Sequence, residues 1–330
     1  MTRTKLTAAA TALGLIFSAG AAQALDEITV AYFLEWPTPN QFAQNSGAYE
    51  EALGVKINWV AFDAGTAMSA AMASGDVQIS FSQGIPPFVV ATSAGQDLQV
   101  VDVAVSYSEN DNCVVREELE IDKANVKELE GKEVGVPIGT AAHYGFLKQM
   151  AHFGVDTSTM KVVDMAPPDG AAAFANGNLD MVCGWGGALR RMKEHGNILL
   201  TGAEKEELGI KVFDATVIPT SFGEEHPDLV AKFVEVTAKM NANFAKDPDS
   251  MLPAIAKEAG MDEKATKETL AGFVFPTVEE QLGAAWFGGG LQTFLKEVGD
   301  FFVEQGTIPA ARDSYEGAAN GSFLKEATGS

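Results

Sequence analysis

Few of the residue types that carry covalent chemistry stand at a working spacing in this chain of 330 residues. It holds no phosphate-binding G-x-x-x-x-G-K-[ST] loop, no G-x-S-x-G elbow, no H-E-x-x-H and no C-x-x-C. His143, His152, His195 and His226 are scattered, with no two at metal-ligand spacing. Gly184, Gly186 and Gly187 follow a strand-like run but lack the dinucleotide-binding spacing and its later acidic residue. Two cysteines are too few for a thiolate-rich metal site or a disulfide scaffold. No nucleophile, base and orienting group form a set, and no cofactor is expected. Carboxylates are abundant: 45 acidic residues against 23 basic give a net charge of −22. A surface this acidic repels DNA, RNA and anionic membranes, so no nucleic-acid partner is expected. At about 150 residues per domain the length suggests two domains. What remains is an acidic, two-lobed protein, an enzyme or a binder.

Met1 to Ala24 reads as a secretory signal. Arg3 and Lys5 are its cationic start, Ala8 to Ala19 its short apolar run, and Ala22-Gln23-Ala24 an A-x-A cleavage site. No cysteine follows to carry a lipid anchor. No later run reaches 18 uninterrupted apolar residues. The mature chain, from Leu25, is expected to be soluble and periplasmic.

The elements that must position any site alternate between strand and helix. Strand-like runs lie at Ile28–Phe33, Lys56–Phe62, Val77–Phe81 and Leu98–Tyr107, with helical segments at Pro39–Tyr49, Thr66–Ala73 and Pro87–Ala94. The motif repeats. Strands are expected at Cys113–Arg116, Glu133–Pro137, Lys161–Met165 and Asp180–Trp185, with helices at Tyr144–Phe153 and Asp169–Ala175. This order predicts an α/β fold of mainly parallel sheets flanked by helices. Met181, Val182 and Cys183 show no polar alternation, as a strand buried on both faces requires. The last third is mostly helical, over Pro227–Ala245, Pro248–Gly260, Asp262–Gly272 and Val278–Gln305. Phe233, Val236, Met240 and Phe244 form an apolar stripe on the first of these. Gly288-Gly289-Gly290 is expected to break the last one, and Ala318–Ser330 to be loosely tethered.

A series of segments carries a resemblance. In order they are Ile28-Thr29-Val30-Ala31-Tyr32, Phe62-Asp63-Ala64-Gly65, Ala73-Ser74-Gly75-Asp76-Val77-Gln78-Ile79, Leu129-Glu130-Gly131-Lys132 and Val136-Pro137. Thr140-Ala141-Ala142-His143-Tyr144, Pro167-Pro168 and Gly177-Asn178-Leu179-Asp180 leading to Trp185 complete it. From Ile28 to about Tyr315 the chain resembles the periplasmic substrate-binding proteins of ABC importers, above all the taurine-binding proteins. Two ligand-side loops depart from the pattern: Phe33-Leu34-Glu35-Trp36-Pro37, bulkier and more acidic, and Phe81-Ser82-Gln83-Gly84-Ile85 in place of a serine-rich turn.

The resemblance implies a two-lobed type II periplasmic-binding-protein fold with two hinge crossovers, near Tyr107–Asn110 and Phe213–Thr216. Residues 25–107 plus 214–330 would form one lobe and 108–213 the other. The ligand would lie between them at the carboxyl ends of the strands, and the partner would be a permease in the inner membrane. A sulfonate suits helix N-termini. Two strand-to-helix turns fit: Ser82-Gln83-Gly84, and Gly139-Thr140-Ala141-Ala142 before the helix that His143 begins. Thr140 can equally be a plain N-cap. Asp214 matches the family's cleft aspartate and would face an ammonium, a hinge salt bridge being its other reading. Glu35 is a second acidic candidate or simply exposed. Trp185 and Trp36 would pack the spacer or face the cation, or belong to the core. Tyr107 and His143 are further wall residues, and Asp63 is expected to cap the helix near Gly65. Cys113 and Cys183 would fall in neighbouring antiparallel strands, where export allows either a disulfide or two buried thiols.

The leading reading is therefore a receptor for taurine or a related small sulfonate. One alternative is a receptor for a small cationic or zwitterionic amine, held by an acidic aromatic box of Glu35, Trp36, Trp185 and Asp214. Another is a thiamine-pyrimidine-type binder or enzyme. Such enzymes use cysteine and histidine chemistry in a glycine- and cysteine-rich loop that is not visible here.

Overall fold

The computed structural model describes residues 25–327; the segment read as a secretory signal lies outside the described residues. Eleven strands are described: β1 (Glu27–Phe33), β2 (Lys56–Phe62), β3 (Ile79–Gly84), β4 (Leu98–Tyr107), β5 (Asp111–Arg116), β6 (Glu133–Val136), β7 (Lys161–Asp164), β8 (Met181–Trp185), β9 (Gly196–Ile198), β10 (Val212–Pro219) and β11 (Phe273–Val274). They form two sheets, ordered β11-β4-β10-β3-β1-β2 and β7-β6-β8-β5-β9. In the first, β1 runs parallel to β2 and β3, while β10 lies antiparallel between β3 and β4. In the second, β6 is parallel to β7 and β8, and β5 is antiparallel to β8 and β9. Each sheet is flanked by helices, as an alternating β/α order requires. The chain passes between the sheets twice, after β4 and before β10.

Strand pattern reads well where burial is complete. Val100, Val101, Val103, Ala104 and Val105 of β4 are almost wholly buried, and so are Met181, Val182 and Cys183 of β8. Helix ends follow glycine chemistry. The single helix expected over Pro39–Tyr49 is two, Asn40–Ser46 and Ala48–Leu53, because Gly47 takes φ 73° between them. The break expected at the glycine triplet is present, between Val278–Leu282 and Gly290–Glu304.

Three local expectations are corrected. The strand placed at Val77–Phe81 lies at Ile79–Gly84, so Ser82-Gln83-Gly84 ends a strand instead of forming a turn. The crossover placed at Phe213–Thr216 is the interior of β10, paired with β4 along its length. The tail is not loose: Ala319 bridges to Val100, and Phe323 and Leu324 of the helix Ser322–Ala327 are buried.

Cys113 and Cys183 face each other in the β5–β8 ladder and are joined in a disulfide across a sequence separation of 70. A link closing a loop of that length removes on the order of 4 kcal/mol of unfolded-chain entropy. The Cys113→Ala/Cys183→Ala double variant should therefore unfold at lower urea, with a stability loss of about 2–4 kcal/mol. An unchanged midpoint would show that the second sheet does not rely on the bond.

Candidate functional site

Asp214 is the chemical centre of the cleft. It sits where β10 shifts register against β4, between Asp214 and Ala215, and such a bulge re-aims a side chain. Its carboxylate is buried, with 3% exposed. Tyr107 donates its hydroxyl to Oδ1 at 2.6 Å, and Ser82 donates to Oδ2 at 2.8 Å. Ser82 Oγ in turn accepts from Trp36 Nε1 at 2.9 Å. These donors satisfy the carboxylate but supply no positive charge. Burial therefore dominates and raises the Asp214 pKa from 3.8 to about 7, against the lowering effect of the Tyr107 and Ser82 hydrogen bonds. Burial and the neighbouring Asp214 likewise hold the Tyr107 phenol well above its usual value.

A small cavity, about 20 Å³, lies against this carboxylate, lined by Phe33, Trp36, Gly65, Gly84, Pro87, Tyr107, Thr140, Ala141, Trp185 and Asp214. It sits at the carboxyl ends of β1, β3, β4 and β8, the usual ligand position in open α/β sheets. Four aromatic rings wall it, with Trp36 edge-on to Tyr107 at 4.8 Å and Phe33 edge-on to Trp185 at 5.8 Å. No lysine or arginine lines it.

Positive potential comes instead from backbone. The helix Ala141–Phe153 begins with a Tyr144 N–H bond to Thr140 O at 3.0 Å, so the Ala141 and Ala142 amides precede the first helical bond. Nearby, the helix Gly65–Ser74 begins with Ala67 and Met68 N–H bonds to Ala64 O, leaving the Gly65 and Thr66 amides ahead of the ladder. A Cβ on Gly139 would lie 3.3 Å from Thr66 Cγ2, so the two termini lie close together at one cavity. Together they can hold an anion.

Of the residues singled out from sequence, Trp36, Gly84, Tyr107, Thr140, Ala141, Trp185 and Asp214 line this cavity. The others serve it from outside. Ser82, at φ 60°, orients Asp214. Gln83 bonds Gly65 O at 3.0 Å and Ser69 Oγ, fixing the start of the Gly65–Ser74 helix. Gly139 takes φ 79° and donates to His143 Nδ1 at 3.2 Å. Burial lowers the His143 pKa to about 4, so the ring is neutral and free to accept that bond. Thr140 is the N-cap, donating to Pro137 O at 2.6 Å and accepting from His143 N–H at 3.4 Å.

The Gly84 turn is a poorer anion site than its sequence suggests. Positions two and three of the following helix, Ile85–Ser93, are Pro86 and Pro87, which carry no N–H. Asp63 is not the cap expected of it. The cap position is Ala64, which makes no side-chain bond.

Glu35 does not line the cavity. Its carboxylate pairs both oxygens with Arg191, at 2.5 and 2.9 Å, joining the loop after β1 to the helix Gly186–Met192 after β8. Gly187 N–H donates to Glu35 O at 3.2 Å, and a Cβ on Gly187 would lie 2.7 Å from Glu35 Cδ. Gly184, Gly186 and Gly187, whose spacing suggested no dinucleotide, thus include two glycines that let this loop dock. Phe33, Gly65, Pro87 and Arg191 were missed. Gly65 carried the available signal: a glycine straight after a strand and opening a helix, as at Gly139.

The fold, two mixed sheets with a cavity at facing strand ends, is that of the two-lobed periplasmic binding proteins. The NMT1/THI5 like family matches residues 38–251, well over half of the chain, and the chain belongs to that family. The taurine-binding periplasmic protein of Escherichia coli K12 is 26% identical over 317 residues, covering 94% of this chain and 96% of that one. The alkanesulfonate-binding protein of Xanthomonas axonopodis pv. citri, solved bound to MOPS, superposes with TM-score 0.74 at 19% identity, covering 91% of this chain and all of that one. A desulfurization enzyme shares the fold with TM-score 0.65 at 14% identity, over 92% of this chain and 99% of its own.

Two measurements test this geometry. Asp214 is raised to about 7, Asp111 also to about 7 and Asp102 to about 6, each chiefly by burial. A carboxyl whose folded pKa lies above its unfolded value holds its proton more tightly when folded. Stability then falls as pH rises from about 4 to 7. Without ligand, the chain should be more stable at pH 5 than at pH 7.5, by up to a few kcal/mol, and Asp214→Asn should flatten part of that slope; a curve rising with pH would contradict the burial of these charges. Glu35→Ala should speed ligand release about fivefold, the worth of roughly 1 kcal/mol for a half-exposed bidentate pair. An off-rate equal to wild type would mean that the pair does not hold the cleft shut.

Proposed function

We propose that this chain is the periplasmic receptor of an ABC importer. It holds taurine or a closely related short aminosulfonate between its lobes and delivers it unaltered to a membrane permease. One observation carries the reading: a single cavity sets a buried, uncompensated carboxylate at Asp214 against two neighbouring helix N-termini at Gly65 and Ala141. An ammonium answers the first and a sulfonate the second. Tyr107 and Ser82 orient the carboxylate toward the ammonium, while the rings of Trp36 and Trp185 cover the two-carbon spacer. The names of the taurine- and alkanesulfonate-binding relatives support the same ligand class.

The lobes of this reading are residues 25–107 with 214–330, and residues 108–213, the last boundary falling inside β10 of the first sheet. The leader at residues 1–24 and the periplasmic relative support export. Taurine has about seven non-hydrogen atoms, which caps its affinity near −10 kcal/mol, or tens of nanomolar. Reaching that value requires burying the whole molecule, hence closure.

Binding is favoured over turnover by the state of the reactive side chains. Both cysteines are tied up in the disulfide, and His143 is held by Gly139 outside the cavity. A second reading, a receptor for a small cationic amine, draws on the four aromatic rings around Asp214 and the absence of lysine and arginine among the lining residues. Glu35 takes no part in it, being paired with Arg191.

Calorimetry over taurine, ethanesulfonate, ethylamine and choline separates the two. Taurine should bind most tightly, and Asp214→Asn should weaken it at least a hundredfold while leaving ethanesulfonate within a few-fold. Below pH 7 the taurine Kd should rise about tenfold per pH unit, because Asp214 must lose its proton to pair with the ammonium. Choline bound more tightly than taurine would replace the first reading with the second. An equal loss for taurine and ethanesulfonate in Asp214→Asn would remove the role given to Asp214.

A further inference from the structure

Beside the inner cavity lies a second, outer one of about 320 Å³, bordered by Leu34, Glu35, Asp63 and Pro168 among others. The two cavities have only Phe33 and Trp185 in common. These residues come from different sheets: Phe33 ends β1 and Trp185 ends β8. Their rings meet edge to face across the cleft, 5.8 Å apart at 61°. The pair thus stands as a wall between a tight inner chamber and a much larger outer space.

We propose that the Phe33–Trp185 pair is the length filter of this site, confining its ligands to aminosulfonates with a two- or three-carbon spacer. The inference rests on the function proposed above and adds what sets its substrate range. With the ammonium at Asp214 and the sulfonate at the helix termini, both ends of the ligand are fixed. A longer spacer must bulge, and the large volume open to it lies behind the two rings. Apolar methylenes would be well received there once past the wall, since Phe62, Pro167 and Ala188 also line the outer space. In the closed chain they cannot pass without parting Phe33 from Trp185, which also parts the lobes. Discrimination by length is then enforced by closure itself: a ligand that separates the rings cannot be sealed in.

The test measures Kd by calorimetry for aminoalkanesulfonates of two, three, four and six carbons, and for n-alkylammonium ions of the same lengths. Wild type, Phe33→Ala, Phe33→Leu, Trp185→Ala and Trp185→Phe are compared. In wild type the six-carbon aminosulfonate should bind at least a hundredfold more weakly than taurine. In Phe33→Ala and Trp185→Ala that ratio should shrink at least tenfold, although taurine itself binds less tightly. Trp185→Phe keeps a ring in place, so its length ratio should stay within about threefold of wild type even as taurine itself binds less tightly. Phe33→Leu, a milder change to the fold, should fall between. A length ratio unchanged in every folded variant overturns the filter.

The ammonium series separates this inference from the function on which it rests. If wild type binds alkylammonium ions but no aminosulfonate, the proposed ligand is wrong, and the alkylammonium length profile alone decides the filter. If wild type binds neither series, both fall.

Discussion

A carboxylate without a counter-ion, at the middle of a six-stranded sheet, is the constraint around which this molecule is arranged. Asp214 lies on β10 with strands on either side, so water cannot reach it freely and no basic side chain lines its cavity. Leaving such a group unpaired is costly. Two hydroxyls reduce that cost without removing it, which is why its proton is held up to about neutral pH. A site poised in this way gains most from a ligand that brings its own cation. On the function proposed, the stability lost by keeping Asp214 unpaired in the free chain is returned when a charged amine binds.

The remaining contacts across the cleft bring the second lobe to this carboxylate. The Gly139 turn can approach Thr66 because it has no side chain, and Gly186 and Gly187 make room for the loop that carries Glu35. At Gly186 the fit is tightest: an added Cβ would stand 2.4 Å from Glu35 O. The Glu35–Arg191 pair then fastens a docking that backbone shape has already selected. Electrostatic strength is not its main contribution, since both side chains are partly exposed. Its value is geometric, since a bidentate pair fixes one lobe orientation. The disulfide between β5 and β8 stiffens the strand that ends at Trp185, the far wall of the cavity.

Much of this was legible in the residues. Strand runs buried on both faces were readable where nothing polar interrupts them, as at Met181–Cys183, and Leu98–Tyr107, apolar apart from Gln99, Asp102 and Ser106, has the bounds of β4. Thr140 and Gly139 announced a helix start through capping and turn chemistry. Asp214 drew notice through the family resemblance, as the match to its cleft aspartate. What failed has two causes: long-range pairing, and local helix-start chemistry. The acidic character of Glu35 suggested a ligand partner, but its charge is taken by Arg191, 156 residues away in sequence. The Gly84 turn looked like an anion site until its two prolines are counted as missing donors. Gly65 went unnoticed because Asp63 offered a plausible cap, whereas the helix starts without one. The Ala318–Ser330 segment was expected to be loosely tethered, yet Phe323 and Leu324 bury themselves against the first sheet's helices.

The central claim concerns the charge on one side chain, so the most direct measurement observes that side chain. Carbon-13 NMR of labelled aspartate, assigned with Asp214→Asn, gives the Asp214 titration with and without taurine. The account predicts a midpoint near 7 in the free chain, falling below 5 when taurine is bound. A free-state midpoint near the ordinary value of 3.8, or one that taurine leaves in place, would contradict it.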